Sequence, residues 1–391
     1  MFEAQKDAKM HMQYDHLGAF GLAPMEGITD FATRLWFAKT SQPKFCWTPF
    51  HRATVGSNGK LPKEYIPELD SLKSYLPYKL IPQIMTGNAE HFCVVAETVL
   101  KFADYVDLNC GCPSPVVVGR GSGSSVLEHV DKFSDLVGKI CSNIGEEKLS
   151  VKMRIGFNDP AEMTELVKSI GHYKLRHLTI HARTRPQKYT GKADWRKIYD
   201  AAALTSIPIV GSGDIFTSAI FVESLGAAPD VKIRIIGRGA VRNPWIFSEI
   251  SSGKNKRLTL GALLYALASF AWLQELHKSQ FDALCNLVKD GLFLSPCGED
   301  ETLWREFFST ITEGKNINEL ILSSYAFARL KMLWNHFRTS LPEKFWRAEP
   351  LKCRSFSEFI SCIKSFSGED ELILNHYPEW NWLFSGEKRI P

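Results

Sequence analysis

Between residues 18 and 247 the sequence alternates short apolar runs with longer segments of helical spacing, and this alternation limits the possible folds most strongly. The runs with the length and composition of buried strands are 20–24, 45–48, 80–85, 105–108, 149–154, 177–181, 207–211 and 231–237. The segments between them, such as 90–102, 127–144 and 161–171, have the spacing of helices. Roughly eight strand–helix units in about 230 residues predict an α/β fold, the (β/α)8 TIM barrel. A doubly wound open sheet is the competing arrangement.

The loop after the fourth predicted strand carries a cysteine with a proline directly behind it. The apolar run gives way at Asn109 to Cys110-Gly111-Cys112-Pro113-Ser114, which reads as a turn. In a TIM barrel the carboxyl ends of the strands hold the chemistry, so Cys112 is the candidate catalytic residue. The alternative is that Cys112 is a small buried hydrophobe, since free cysteines are among the most buried residue types.

Charged and amide side chains interrupt several predicted strands. They are Gln83, Asn109, Lys152, Arg154, Thr179, His181 and Arg183. Lys152 and Arg154 are two residues apart and share a face of their strand. Burying such groups costs several kcal/mol, about 2–7 for an uncharged amide, unless a partner or ligand satisfies them. The pattern predicts an anionic or polar ligand at the barrel mouth. A strand end exposed to solvent explains any one of these residues more easily than all of them.

Two glycine-rich loops follow the last two predicted strands. Gly211-Ser212-Gly213-Asp214 follows the seventh, and Gly237-Arg238-Gly239 follows the eighth, with a short helix expected near Asn243. In this fold, loops at these positions that lead into a helix N-terminus usually form a phosphate-binding site. They predict a ligand with a phosphate, and glycines that only permit tight turns are the alternative.

A third glycine-rich motif, Gly119-Arg120-Gly121-Ser122-Gly123, comes well after the fourth strand. It lacks the spacing of a dinucleotide-binding fingerprint. We interpret it as a loop that holds a ligand or RNA, with a plain flexible loop as the alternative.

Beyond residue 255 the alternation stops, which predicts a barrel domain over 1–255 and a small all-α domain over 256–391. Segments 258–278 and 318–340 have apolar residues at helical spacing. The turn-rich segment 285–301 between them is interpreted as an insertion. The aromatic residues near the end of the chain are expected to pack in the interior; they are Trp346, Tyr377, Trp380, Trp382 and Phe384.

Charge and cysteine content restrict the surroundings of the protein. The formal net charge of +4 permits a polyanionic partner without requiring one. Nine cysteines without a Cys-x-x-Cys pair argue against a disulfide framework or a zinc site and favour a reducing cytosol. Residues 1–16 lack the apolar core of a secretory signal, and the apolar stretch 263–273 is too short to span a bilayer. We therefore expect a cytoplasmic protein without metal or membrane association.

Six motifs, in order along about 230 residues, resemble the tRNA-dihydrouridine synthase family. They are Ala23-Pro24-Met25-Glu26-Gly27, Pro82-Gln83-Ile84, Asp107-Leu108-Asn109-Cys110-Gly111-Cys112-Pro113-Ser114, Val151-Lys152-Met153-Arg154, His181-Ala182-Arg183-Thr184-Arg185 and Ile236-Gly237-Arg238-Gly239. The Leu-Asn-x-Gly-Cys-Pro part of the third motif is specific to that family. Among bacterial branches, the first and third motifs most resemble the DusC branch, which is associated with uridine 16 of tRNA.

The resemblance implies an FMN enzyme in which NADPH reduces the flavin and the flavin passes a hydride to C6 of a uracil flipped out of tRNA. Cys112 would protonate C5 as the general acid. The residues that the resemblance places at the FMN are Pro24, Met25, Glu26, Gln83, Lys152, His181, Ser212, Gly213, Asp214, Gly237 and Arg238. Those that it places near the uracil or the adjacent tRNA are Asn109, Arg183 and Tyr189.

On the helical domain, the segment with Arg329 and Lys331 resembles the family's tRNA-binding face, where basic side chains would contact phosphates. A solvated polar face over an apolar stripe is the alternative. We expect the protein to be a monomer.

Two positions depart from the family pattern. Ser212 stands where the family commonly has Asn, and Pro115-Val116-Val117-Val118 stands where relatives often have a polar or basic residue. Two other functions stay open from the sequence. One is an FMN barrel oxidoreductase for a small molecule, such as a dihydroorotate or enoate oxidoreductase. The other is a catalytically silent tRNA-binding protein.

Overall fold

The computed structural model describes residues 19–56 and 59–366 and the strand Leu372–Leu374. The N-terminal segment 1–16 and the aromatic residues Tyr377, Trp380, Trp382 and Phe384 lie outside those residues.

Within the described residues, ten strands form one sheet in which all pairings are parallel. They are β1 (Ala19–Leu22), β2 (Phe45–Trp47), β3 (His51–Arg52), β4 (Lys79–Ile81), β5 (Gln83–Met85), β6 (Val106–Cys110), β7 (Leu149–Arg154), β8 (Leu178–His181), β9 (Ile209–Ser212) and β10 (Ile233–Ile236). The hydrogen-bonded order is β3-β5-β6-β7-β8-β9-β10-β1-β2-β4. Each predicted strand therefore coincides with an observed one, the run 80–85 with β4 and β5 together.

The sheet closes through a strand that is broken at Pro82. β4 pairs with β2, and β5 pairs with β6, and the two segments follow each other with only Pro82 between them. Proline has no N–H to donate to a strand ladder, so the ladder is interrupted there. The Pro82 carbonyl still accepts a hydrogen bond from the Asp107 N–H at 2.9 Å. The predicted TIM barrel is confirmed, and the open sheet is excluded.

Helices cover the outside of the barrel. They are α1 (Phe31–Thr40), α2 (Tyr65–Leu69), α3 (Ala89–Val99), α4 (Pro115–Val118), α5 (Val130–Ile144), α6 (Met163–Ile170), α7 (Trp195–Ala202), α8 (Ser218–Ala227), α9 (Arg238–Arg242) and α10 (Ile246–Ser252). Asp30 is the N-cap of α1 and Asn88 is the N-cap of α3. Each side chain accepts the backbone N–H three residues ahead at 2.9 Å. In α5 the residues Phe133, Val137 and Ile140 are buried at helical spacing against the sheet.

The interior of the barrel has an apolar half and a polar half. A small apolar cluster that is separate from the main core consists of Ala23, Trp47, Ile81, Tyr105, Val210 and Ile235. The parallel register places Asn109 beside Lys152, and Lys152 beside Thr179, so these side chains share the inner face. The polar groups thus come from the strands β5 to β8. A ligand in the mouth meets polar side chains on this side.

A helical region follows the barrel. Its helices are α11 (Leu260–Ser279), α12 (Phe281–Lys289), α13 (Glu301–Ile311), α14 (Ser324–Phe337), α15 (Glu349–Lys352) and α16 (Phe356–Lys364). β11 (Arg257–Thr259) pairs antiparallel with β12 (Leu372–Leu374). No helix in the described ranges has the length and hydropathy needed to cross a bilayer.

Two expectations for the helical region need correction. The predicted helix 318–340 begins only at Ser324, because Ser323 accepts the Ala326 N–H as the N-cap and 320–323 are not helical. The segment 285–301 is not turn-rich throughout, since α12 continues to Lys289 and α13 begins at Glu301. The turn is confined to the residues between them.

The helical region packs on the barrel through α11, which is buried along nearly its whole length. The indole N–H of Trp36 in α1 donates to the carbonyl of Ala266 in α11 at 2.8 Å. One apolar core runs through both regions without a break. The secondary structure changes near residue 255, but the apolar core continues across that position.

Candidate active site

The Cys112 loop is held from both sides at the carboxyl end of β6. The side-chain oxygen of Asn109 accepts the N–H groups of Gly111 at 3.0 Å and of Cys112 at 3.1 Å. The Cys112 carbonyl accepts the backbone N–H of Ser124 at 3.0 Å and its hydroxyl at 2.9 Å. Four hydrogen bonds therefore fix the backbone of Gly111 and Cys112 to their own loop and to the next one.

The Cys112 thiol is half-buried, and Cys110, two residues earlier, is fully buried in the core. Burial is the main cause that raises the pKa of Cys112, and Glu26 adds to it, whereas a backbone hydrogen bond and the nearby Arg154 and Arg52 act in the opposite direction. The net shift is upward, so the thiol keeps its proton at neutral pH. That is the protonation state that a general acid requires.

A chain of buried polar side chains supports this loop from below. The carboxylate of Asp107 accepts the hydroxyl of Ser150 and the amide N–H of Gln83, both at 2.6 Å. The amide oxygen of Gln83 accepts the Asn109 amide N–H at 2.7 Å. Burial raises the pKa of Asp107 to about 6, against hydrogen bonds and Lys152 that lower it. Sequence reasoning did not assign Asp107 to the site, although it lies in the third motif.

The hydrogen bonds between Asp107, Gln83 and Asn109 give two predicted site residues a supporting role. Gln83, expected at the cofactor, is fully buried and is bonded at both ends of its amide, so it lies one layer below the mouth. Asn109, expected at the uracil, uses its oxygen on the Cys112 loop and one amide N–H on Gln83. Both residues position the loop.

Lys152 and His181 face the mouth without protein partners. Within the described residues, neither the Lys152 ammonium nor the His181 imidazole makes a hydrogen bond or ion pair. Burial, and then Arg154, lower the pKa of Lys152 to about 8, against Asp107 and Cys112. Burial and the surrounding cations, Arg154 first, lower the pKa of His181, so the ring is neutral. Desolvating a cation without an acceptor is costly, so Lys152, with the neutral His181 beside it, is placed to bind an anionic or polar ligand.

Asp214 organises the opposite edge of the mouth. One carboxylate oxygen accepts the Arg183 guanidinium and, at 2.9 Å, the Ala193 N–H, and the other accepts Arg238 at 3.1 Å. Arg183 is fully buried and also donates to the carbonyls of Thr190 and Gly191. The Nη1 group of Arg183 has no hydrogen-bond partner among the described residues, so the expected contact with the uracil or the adjacent tRNA stays a prediction. Arg183 fastens the loop after β8 to Asp214, and Asp214 orients two arginines.

Arg238 and Tyr189 form the rim of this edge. The half-buried guanidinium of Arg238 lies over the Tyr189 ring, 4.3 Å from its centroid. The Arg154 guanidinium lies 5.8 Å from the centroid of the same ring, and Tyr189 is 51% exposed, so part of the ring surface reaches solvent at the rim.

The glycine-rich loops after β9 and β10 lie side by side. Ser212 is next to His181 in the strand register. A Cβ on Gly213 would come 3.0 Å from the Trp195 ring, and one on Gly237 would come 3.5 Å from the Met25 sulfur. Gly213 is thus explained by close packing against Trp195. The Gly237 loop brings Arg238 to the mouth next to Met25.

The loop after β1 carries the remaining predicted cofactor residues. Pro24 and Met25 are half-buried, and Glu26 is exposed at the rim, where it pairs with Arg52 at 3.4 Å. Gly27 adopts a left-handed conformation with φ of 71° that favours glycine.

Arg329, on α14, holds this loop from the helical region. Its guanidinium donates to the carbonyls of Gly27 and Ile28, the latter at 2.8 Å, and pairs with Asp30 at 2.7 Å. The side chain is buried, so the expectation that Arg329 contacts a tRNA phosphate is wrong. Lys331 is half-buried and lies over the Phe327 ring at 4.5 Å, beside a separate groove that also includes Arg354. The two residues do not form one basic face.

We expect Arg329→Met to destabilise the protein by roughly 2–4 kcal/mol, because the carbonyls of Gly27 and Ile28 lose their arginine donor. Asp30 also loses its cation and, within the described part of the chain, keeps only the Thr33 N–H and the Gln274 amide as donors. Urea unfolding measures this change. The control is Lys331→Met, which should leave the unfolding free energy within about 0.5 kcal/mol of the wild type. Equal stability of the two variants would contradict the role of Arg329.

Comparisons with known proteins agree on one family. A family model described as Dihydrouridine synthase (Dus) matches residues 21–291. The chain is 31% identical over 170 residues to a tRNA-dihydrouridine(47) synthase-like protein of Arabidopsis thaliana, covering 43% of this chain and 24% of that protein. It is 35% identical over 183 residues to a tRNA-dihydrouridine(47) synthase of Coprinopsis cinerea, covering 42% and 27%. The names of both relatives also specify NAD(P)(+).

A third relative matches over more of its length. The tRNA-dihydrouridine(16) synthase of Neisseria meningitidis is 27% identical over 240 residues, covering 60% of this chain and 71% of that protein. The chain matches only about a quarter of the length of the two position-47 relatives.

Proposed function

The chain belongs to the dihydrouridine synthase family, and from this premise we propose that it reduces a uridine of tRNA to 5,6-dihydrouridine, with FMN as its cofactor and NADPH as the electron donor. The observation that carries the proposal is the half-buried Cys112 thiol on the loop after β6, beside Lys152 and His181 on the neighbouring strands.

The residues at the mouth fit an anionic flavin nucleotide. Lys152 offers a desolvated cation that lacks an acceptor among the described residues, and His181 offers a neutral ring that can donate or accept. Arg238 and the adjoining glycine loops would hold the phosphate. When bound, the flavin supplies a hydride for C6 of the uracil, having been reduced by NADPH.

Cys112 would hold the proton that goes to C5 of the uracil. Because its pKa is raised, the thiol retains this proton until the transfer takes place. Arg154 and Arg52 favour the negative charge that remains on the sulfur afterwards. Arg154 is itself fixed by hydrogen bonds to the carbonyls of Gly111, Thr184 and Lys188, at 2.8 to 3.0 Å.

A uracil must leave the tRNA stack before it can reach this mouth. The exposed part of the Tyr189 ring, backed by Arg238, offers a platform on which a base can stack. We propose uridine 16 as the target, because the position-16 relative matches over most of its length. The nine cysteines are all free thiols, which suits a cytoplasmic enzyme.

The direct test incubates purified protein with NADPH and tRNA that lacks dihydrouridine, and maps the product at each uridine. We expect flavin absorbance near 450 nm, roughly, in the protein and dihydrouridine at position 16. Dihydrouridine at position 47 would move the target to that of the other relatives. Flavin without any salt-sensitive tRNA binding would favour a small-molecule oxidoreductase, and tRNA binding without flavin would favour a silent binding protein.

The pH dependence of the proton transfer follows from the raised pKa of Cys112. The single turnover uses prereduced protein with flavin in excess, so that loss of the Lys152 proton near pH 8 does not lower the bound flavin. Uridine reduction should then be constant through neutral pH. It should fall only above the ordinary thiol value of 9.0, as the acid loses its proton. Cys112→Ser should lose this alkaline decline, since a hydroxyl stays protonated there. A decline already below pH 8 in the wild type would contradict the assignment of the acid, given the upward shift.

A further inference from the structure

A second cleft, of about 330 Å³, adjoins the Cys112 loop. It lies where β3 and β5 end, at the start of α3, and is closed on its far side by the glycine-rich segment 119–123. Its polar and basic lining comprises Arg52, Asn88, His91, Arg120 and Ser122, with Met85 among the apolar residues. The mechanism above uses none of the residues on the α3 and 119–123 sides.

The glycine-rich segment is packed in place as one wall of this cleft. Gly121 has φ of 68°, and a Cβ on Gly87 would come 2.0 Å from the Gly121 carbonyl oxygen, so the two backbones touch. Gly123 lies against Cys112 and Val117, where a Cβ would come within 3.1 Å of both side chains. The wall of the cleft is thus continuous with the Cys112 loop, and the plain flexible linker is excluded for this segment.

The charge of the cleft is suited to an anion. Arg120 is exposed, and neither its guanidinium nor the His91 imidazole bonds to any residue of the described chain. Asn88 accepts the His91 N–H as the N-cap of the eleven-residue α3, and the first-turn N–H groups beside it have no intrahelical acceptor. Arg52 adds a third basic group from β3, and Glu26 pairs with it at 3.4 Å.

The neighbourhood of the cleft also suits a sugar or base. Met85 and Val117 line it, and Val55 at its edge is 83% exposed. A nucleotide that follows a flipped uridine in an RNA strand presents a phosphate and an apolar base face together. Because Gly123 lies against Cys112 and the adjoining Gly121 and Ser122 line the cleft, a base at Cys112 and its neighbour in the cleft belong to adjacent sites.

We propose that this cleft is a nucleoside-phosphate subsite that binds the nucleotide next to the target uridine, with Arg120 and His91 at its phosphate. This rests on the proposed function for the identity of the strand. The phosphates of NADPH present the same chemistry and are the other source to be distinguished.

The test compares Arg120→Met and His91→Ala with wild type by the KM for tRNA, the KM for NADPH, and tRNA binding over a range of salt. We expect the tRNA KM to rise about 10-fold for Arg120→Met, with kcat, NADPH KM and flavin content unchanged. The slope of log affinity against log salt should fall by about 1. Arg196→Met, at an exposed residue of α7, is the matched control and should change none of these values.

Each result decides the proposal. A rise in the NADPH KM with an unchanged tRNA KM would support the subsite and assign its phosphate to the dinucleotide. Values equal to those of Arg196→Met in every measurement would overturn it. The salt dependence of tRNA binding is measured without catalytic turnover, so this measurement does not depend on the proposed activity. If the wild type forms no dihydrouridine while Arg120→Met still weakens tRNA binding, the proposed function fails and the subsite stands.

Discussion

Replacement of Cys112 by alanine is expected to lower dihydrouridine formation by roughly 10²- to 10⁴-fold, the range that a positioned general acid contributes. The protein should keep its flavin and its slow oxidation of NADPH, because the thiol makes no contact that holds the Lys152 side of the mouth. Mass spectrometry of the treated tRNA measures the product, and absorbance of the purified protein measures the flavin. The prediction therefore separates proton donation from cofactor binding.

Cys110→Ala is the matched control for this result. Cys110 has no exposed surface and lies in the core, so its replacement should leave the rate within a few-fold of the wild type. The removed sulfur would cost about 1 kcal/mol of stability through a small cavity. Full activity of Cys112→Ala, or inactivity of Cys110→Ala with flavin retained, would remove Cys112 from its role.

Replacement of Lys152 by methionine is expected to weaken flavin binding by roughly 30- to 4000-fold. Removal of one partner of a buried charge pair costs about 2–5 kcal/mol, and in this variant the anionic cofactor would lose its desolvated cation. Quenching of flavin fluorescence on titration with the apoprotein measures the dissociation constant. Binding should also weaken in the wild type as the pH rises through about 8, because Lys152 then loses its proton.

Two comparisons make this prediction specific. Lys148→Met alters an exposed lysine just before β7 and should leave flavin affinity unchanged. Lys152→Met should itself lose the decline in affinity near pH 8. The same dissociation constant in Lys152→Met and the wild type would show that the unpartnered ammonium does not serve the cofactor.

Local patterns in the sequence were enough to predict the barrel. Each predicted strand has its own apolar run, and parallel strands buried on both faces keep that pattern whatever surrounds them. The two-residue strand β3 (His51–Arg52) has no such run and was not predicted. The loop with Cys112 was predictable for the same reason, since the run ends at Asn109 and the turn residues follow directly. The helix α13 was not predicted. Its apolar stripe of Trp304, Phe307 and Ile311 is short and directly follows a turn that contains proline and glycine.

The partners of individual polar residues were not predictable. Lys152 and Arg154 give the same signal in the sequence, a basic residue inside a strand. In the structure Arg154 is satisfied by three carbonyls, whereas Lys152 has no partner among the residues described. Arg329 is separated from its acceptor Gly27 by 302 positions, and no local pattern reports such a contact. Which cations are free for a ligand depends on tertiary contacts.

The link from Arg329 to the loop after β1 limits how this family member can be re-engineered. A helical region taken from a relative would have to supply an arginine at the place of Arg329 and an amide at the place of Gln274, because both side chains bond Asp30. Without them, the graft would release one wall of the catalytic mouth. A change of tRNA specificity by exchange of the helices therefore requires that α1 and its preceding turn be transplanted with them.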